Sequence, residues 1–193
     1  MSDEIADLFR QVASNMTRVA DSAYIDAVSR AGDLLYESFA AGRKLLVFGN
    51  GGSSADAQHL TAELVGRFAF DRKPLPAIAL TTNQAILTAW SNDQSFADVF
   101  ARQIDALGAP DDVAWGISTS GRSPNVVNGL RRARERGLRT IGMTGDSGGE
   151  LASLCDVLLA VPLDSTARIQ EVHLVTYHSI CAALEKRLFR DAM

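Results

Sequence analysis

Apolar residues along the first forty positions recur every three or four residues. Ile5, Leu8, Phe9, Val12, Met16 and Val19 share one face of a 3.6-residue repeat, which predicts an amphipathic helix over residues 3–20. A second helix is predicted over 24–41. Past that point the period changes. KLLVFGN (44–50) is a short unbroken apolar run ending in glycine, the pattern of a strand buried on both faces. Four further runs follow: AIALTT (77–82), VAWGIST (113–119), LRTIGMTG (138–145) and VLLAVP (157–162). Helical spacing fills the intervals, over 55–67, 85–107 with room for a break, 125–136, a short piece near Glu150, and 167–188. Strands alternating with helices predict an α/β fold, a three-layer α/β/α sandwich around a five-stranded parallel sheet. A helical part of about 1–42 precedes a sheet-containing core of about 43–193, within one domain. GRFAFDRKPLP (66–76) is the longest irregular stretch and a candidate functional loop.

Composition narrows this picture. At 193 residues the chain can bury a full core. A net charge of −4 argues against a general nucleic-acid binder but not against an anionic ligand, which backbone N–H groups alone can hold. The opening MSDEIADLF carries acids where a secretion signal needs basic residues, and no run is long enough to span a membrane. Cys155 and Cys181 lie in apolar surroundings without metal-type spacing and are expected to be buried free thiols. A cytoplasmic location is the expectation.

Two strand-to-helix turns carry the first chemistry. VFGNGGSSADAQH (47–59) joins a strand to a helix through glycines, which let the backbone approach an anion at the helix N-terminus. It lacks the Gly-Lys-Ser/Thr ending of a nucleotide-triphosphate loop. It fits the dinucleotide fingerprint only at Gly49 and Gly51. GISTSGRSPNVV (116–127) crowds Ser118, Thr119, Ser120 and Ser123 before a helix, with Ser123 at the expected N-cap and Pro124 at the first helical position. Together the turns predict a phosphorylated small molecule at the C-terminal edge of the sheet.

The three histidines supply the rest. His59 and Glu63 are four apart on a helix, hence on one face, and that helix starts at the first turn, so the pair is expected close to the anion. Gln170 and His178 are eight apart, roughly 80° past two turns and about 12 Å along a helix. His173 points elsewhere and is read as a packed core histidine. His59, Glu63, Gln170 and His178 could bind Zn²⁺, although an amide is an unusual ligand. Alternatively Glu63 and His178 serve as base and acid without a metal.

GNGGSSADAQH, AELVGRF, LPAIALTT, ISTSGRSPN and RIQEVHLVTYH resemble, in this order, the sugar-isomerase (SIS) domain family, and within it the phosphoheptose isomerases. The resemblance runs from the second helix to the last. It implies an enzyme converting sedoheptulose 7-phosphate to D-glycero-D-manno-heptose 7-phosphate, at the start of nucleotide-activated heptose synthesis for lipopolysaccharide or surface glycans. It implies a homotetramer with active sites between subunits, the N-terminal helices serving assembly. By resemblance Gly51, Gly52, Ser53, Ser118, Thr119, Ser120 and Ser123 hold the phosphate end. Asn50, Arg67, Asp93 and Gln170 contact the substrate. Glu63 and His178 move protons, and one Zn²⁺ per subunit sits on His59, Glu63, Gln170 and His178. Asn83, Trp90, Ser91 and Ala167 depart from the family pattern around the sugar. The competing readings are a non-catalytic SIS protein that binds the replication initiator, and an isomerase of another sugar phosphate. Nucleic acid and membrane are not expected as partners.

Overall fold

A computed structural model describes residues 1–189 of the chain. Helices α1 (Ser2–Ala20) and α2 (Tyr24–Ala40) lead into strand β1 (Leu45–Gly49) and helix α3 (Gly52–Val65). There follow β2 (Ala77–Ala79), α4 (Gln84–Asp93), α5 (Val99–Leu107), β3 (Val113–Ile117), α6 (Pro124–Glu135), β4 (Arg139–Gly145), β5 (Val157–Val161) and α7 (Thr166–Leu188). The five strands are parallel, in the order β2-β1-β3-β4-β5.

The unbroken apolar runs of β1 and β3 are buried at every position because both faces of the sheet are covered. The two-residue period decides which layer each side chain joins. Leu45 and Val47 enter one core with α2, α3 and α7, whereas Leu46 and Phe48 enter the other with α5 and α6. The strand order reverses between β1 and β3, so the C-terminal ends of these neighbours open the crevice where such sheets bind ligands. Helices α3 and α6 start at that crevice.

Several expected boundaries shift. The predicted helix over 85–107 is two helices, separated by a 3-10 turn at Phe96–Asp98 that Ser95 caps by accepting from Ala97 N at 3.1 Å. Strand 77–82 stops at Ala79, because Thr81 and Thr82 already turn toward α4. Helix 55–67 starts at Gly52 and ends at Val65. Cys181 is buried as expected, Cys155 is half-buried, and both are free thiols. Helix α1 keeps Ile5, Leu8 and Phe9 exposed and buries only Val19 among the described residues. No helix among the described residues is long and apolar enough to cross a membrane.

Candidate active site

The two glycine- and serine-rich turns are fastened to each other. Asn50 Nδ2 donates to Asn125 Oδ1 and Asn125 Nδ2 donates to Asn50 Oδ1, both at 2.8 Å. The Asn50 amide, expected on the sugar, therefore also bridges the crevice. Gly51, the N-cap of α3, has φ +54°, a conformation that side chains disfavour. A Cβ on Gly52 would meet Gln170 Nε2 at 2.6 Å, so the Gln170 amide lies on this turn. Ser53 is buried at the first turn of α3.

In the second turn, Ser118 Oγ lies 3.1 Å from Ser123 Oγ and 3.4 Å from Ser120 Oγ. Ser123 occupies the N-cap position of α6, but its hydroxyl faces Ser118 instead of capping the helix N–H groups. The expected cap is thus a hydroxyl cluster. Thr119 and Ser120 border a cleft of about 440 Å³ that Arg122, Asp146, Asp164 and Thr166 complete. Arg122 lies within the serine-rich turn, whereas Asp146, Asp164 and Thr166 carried no sequence signal, because they come from two other loops and the start of α7.

A second constellation lies further along α3. His59 Nε2 is 3.0 Å from Glu63 Oε1, and His178 Nε2 is 3.4 Å from His59 Nε2. One donor atom from each of the three lies within 4.8 Å of the others. The i,i+4 spacing on α3 and the side-by-side course of α7 produce this meeting across 119 residues of sequence. Burial first, and then the His59 imidazole, push the His178 pKa below its ordinary value, with Glu63 opposing. Phe68 flanks His178 with ring centroids 5.4 Å apart.

Three expectations change with these positions. His59 and Glu63 lie seven and eleven residues past Gly52, about 10 and 16 Å along the helix axis, so in one chain they are not close to the glycine turn. Gln170 stays with that turn, about 12 Å along α7 from His178, and is not a fourth ligand of the same chain's cluster as it sits here. Asp93 is exposed at the end of α4, bonded by Asn92 Nδ2 at 2.8 Å, and α4 packs on the opposite face of the sheet from α3 and α7. Arg67 is exposed just beyond α3. Asn83, one of the departures, caps α4 by accepting from Ile86 N at 3.2 Å.

His173 is fully buried, with Nε2 3.2 Å from the Thr144 carbonyl oxygen, and burial lowers its pKa to about 4. It is a packed core residue. Two residues behind the cluster escaped the sequence reading. Tyr177 Oη lies 3.0 Å from His59 Nδ1, and Asp56 Oδ1 lies 3.5 Å from Tyr177 Oη. Burial raises the Asp56 pKa despite the Tyr177 hydroxyl and His59. The available signals were local: Asp56 is one helical turn before His59, and Tyr177 immediately precedes His178.

The SIS-domain family profile matches residues 8–145. A phosphoheptose isomerase of Synechocystis sp. is 50% identical over 185 residues, covering 96% of this chain and 95% of the relative. The chain belongs to the phosphoheptose isomerase family. The family's counterpart in Crocosphaera subtropica is 54% identical over 88% of this chain and 86% of its own. Among solved structures, the phosphoheptose isomerase of Neisseria gonorrhoeae superposes with a TM-score of 0.90 at 38% identity, over 96% of this chain and 98% of that one. That of Francisella tularensis gives 0.91 at 37%, over 95% and 97%. The expected five-stranded SIS fold is therefore borne out, in its sheet and in its relatives.

Proposed function

We propose that this member of the family is an aldose–ketose isomerase that converts sedoheptulose 7-phosphate to D-glycero-D-manno-heptose 7-phosphate through an enediol, ahead of nucleotide activation of the heptose. The observation that carries the reading is the meeting of Glu63 with His178 and His59, within 4.8 Å, in a chain whose relatives are phosphoheptose isomerases. Isomerisation needs a base for a carbon-bound proton and a second group for an oxygen-bound one. Glu63 Oε1 faces His59, which leaves Oε2 to take the proton from C1 of the ketose. His178 delivers a proton to the C2 oxygen. Return of the first proton to C2, with loss of the O1 proton, completes the aldose. The hydroxyls of Ser53, Ser118, Thr119, Ser120 and Ser123, with the N-terminal N–H groups of α3 and α6, hold the phosphate. Asn50, Arg67, Asp93 and Gln170 meet the polyol.

Two imidazole nitrogens and a carboxylate oxygen suit Zn²⁺, and their convergence without any cationic side chain among them fits a cation. His59, Glu63 and His178 would hold it, one per subunit, and Glu63 and His178 would have to leave it before acting as base and acid. It would supply charge stabilisation to the developing enediolate oxygens.

The site is read as shared between subunits of a homotetramer. Ten residues separate Ser53 from Glu63, about 15 Å along α3. An extended heptose phosphate spans only roughly 10 Å at C–C bonds of about 1.5 Å. Asp93 lies on the far face of the sheet. Both facts favour a phosphate turn and a proton-transfer cluster contributed by different chains. The exposed Ile5, Leu8 and Phe9 of α1 supply an apolar face for such assembly. The whole chain acts as one domain in the cytoplasm.

The test is direct conversion. Purified protein incubated with sedoheptulose 7-phosphate should yield heptose 7-phosphate, followed by ³¹P and ¹H NMR. Turnover of a hexose or pentose phosphate with none of the heptulose would move the substrate assignment. A tight complex with the replication initiator and no turnover would remove the enzyme.

A further inference from the structure

A buried hydroxyl stands behind the cation cluster. Tyr177 is fully buried and lies between two polar groups of α3, His59 Nδ1 at 3.0 Å and Asp56 Oδ1 at 3.5 Å. The second Asp56 oxygen, Oδ2, is buried without a hydrogen-bond partner among the described residues. On its other side His59 turns Nε2 to Glu63 and His178.

A neutral imidazole carries one N–H, and the partner of one nitrogen decides what the other offers. With the proton on Nε2, His59 donates to Glu63, and Nδ1 accepts from the phenol. With the proton on Nδ1, His59 donates to the phenol oxygen. The phenol then turns its own proton to Asp56, and the Nε2 lone pair faces the cluster. A hydroxyl serves both arrangements because it donates and accepts. A phenyl ring serves neither, and would leave both Nδ1 and the Asp56 carboxylate without their partner.

We infer that Asp56 and Tyr177 form a positioning chain that holds His59 in its Nδ1–H tautomer and so presents Nε2 to a divalent cation. Neither residue touches the cation or the sugar. Ligating histidines are commonly oriented by such a partner on the second nitrogen, and its loss weakens metal binding. The inference rests on the cation reading of the cluster and names what sets the tautomer of one ligand.

The experiment is a Co²⁺ titration in competition with a chelator, read by visible absorption, with inorganic phosphate binding as the control for the serine turns. Tyr177→Phe should weaken Co²⁺ binding about 10–100-fold and leave phosphate affinity unchanged. Asp56→Asn keeps the shape but exchanges a charged acceptor for a neutral one, and should weaken it about threefold. Asp56→Asn also decides the matter if Tyr177→Phe does not fold. Co²⁺ affinity equal to wild type in the folded variants overturns the inference alone. A wild-type protein that takes up no Co²⁺ overturns the cation reading and the inference with it.

Discussion

Two polar clusters lie along the same α3–α7 contact, two helical turns apart on α7, and they are built to opposite rules. At the far end Glu185 accepts from Phe68 N and Ala69 N at 2.8 Å and from Arg72 Nε at 2.9 Å. The pair is closed to water, with side-chain exposures of 2% and 0%. Burial alone would raise the Glu185 pKa, but the two backbone donors and Arg72 outweigh it and hold the carboxyl below its usual range. Arg72 also donates to the carbonyls of Glu63 and Leu64, which have no partner within the last turn of α3, and to that of Gly66 just beyond it. The other cluster has side-chain exposures of 42% for His59 and 21% for Glu63, and among the described residues no arginine or lysine pairs with the Glu63 carboxylate. A charge network whose members are satisfied fixes structure. One left partly open to solvent keeps lone pairs for a ligand or a proton.

That contrast can be broken in order of expected effect. Glu185→Ala leaves the Arg72 guanidinium buried and unpaired and should cost about 3–5 kcal/mol of stability in urea unfolding. A loss under about 1 kcal/mol would show that the clasp is not structural. Glu63→Gln should do the reverse, cutting turnover about 10²-fold or more with the unfolding midpoint nearly unchanged. Equal damage to stability and rate would erase the distinction.

His173 tests the same division by pH. Its folded pKa is depressed, so its contribution to stability is complete above the unfolded value of 6.5 and is lost as pH falls toward about 4. Between pH 6.5 and 5 the loss should be about 2 kcal/mol, and His173→Gln should flatten that part of the stability profile. An unaltered profile would exclude a buried neutral imidazole. The smallest effect concerns Ser123. Because its hydroxyl joins Ser118 and does not cap α6, Ser123→Ala should cost less than the roughly 1 kcal/mol of a lost cap while raising KM for the sugar phosphate. A full cap-sized loss with unchanged KM would restore the capping role.

The local parts of this arrangement were legible in the sequence. The apolar runs mark all five strands because the period of a doubly covered strand is read from a few neighbours. His59 and Glu63 share a helix face by spacing alone. The glycine and serine turns announce themselves by composition. Contacts across the chain were not legible. Arg72 and Glu185 are 113 residues apart, and Tyr177 and His59 are 118 apart. No local period links them, since α7 returns to α3 only after the whole sheet is built. The expected closeness of Glu63 to the glycine turn failed for a simpler reason. A shared helix fixes direction, but each residue adds about 1.5 Å of rise, which carries Glu63 well away from the turn along α3.

Glu63 and His178 are proposed to move protons on the same carbon chain. The most direct measurement is isomerisation of sedoheptulose 7-phosphate in deuterated water, with mass and NMR analysis of the recovered sugars. Wild type should place solvent deuterium on C1 of the ketose and C2 of the aldose, through exchange of the proton held on Glu63, and Glu63→Gln and His178→Gln should place almost none. Labelling by Glu63→Gln at the wild-type rate, or isomerisation by neither wild type nor variant, would contradict the account.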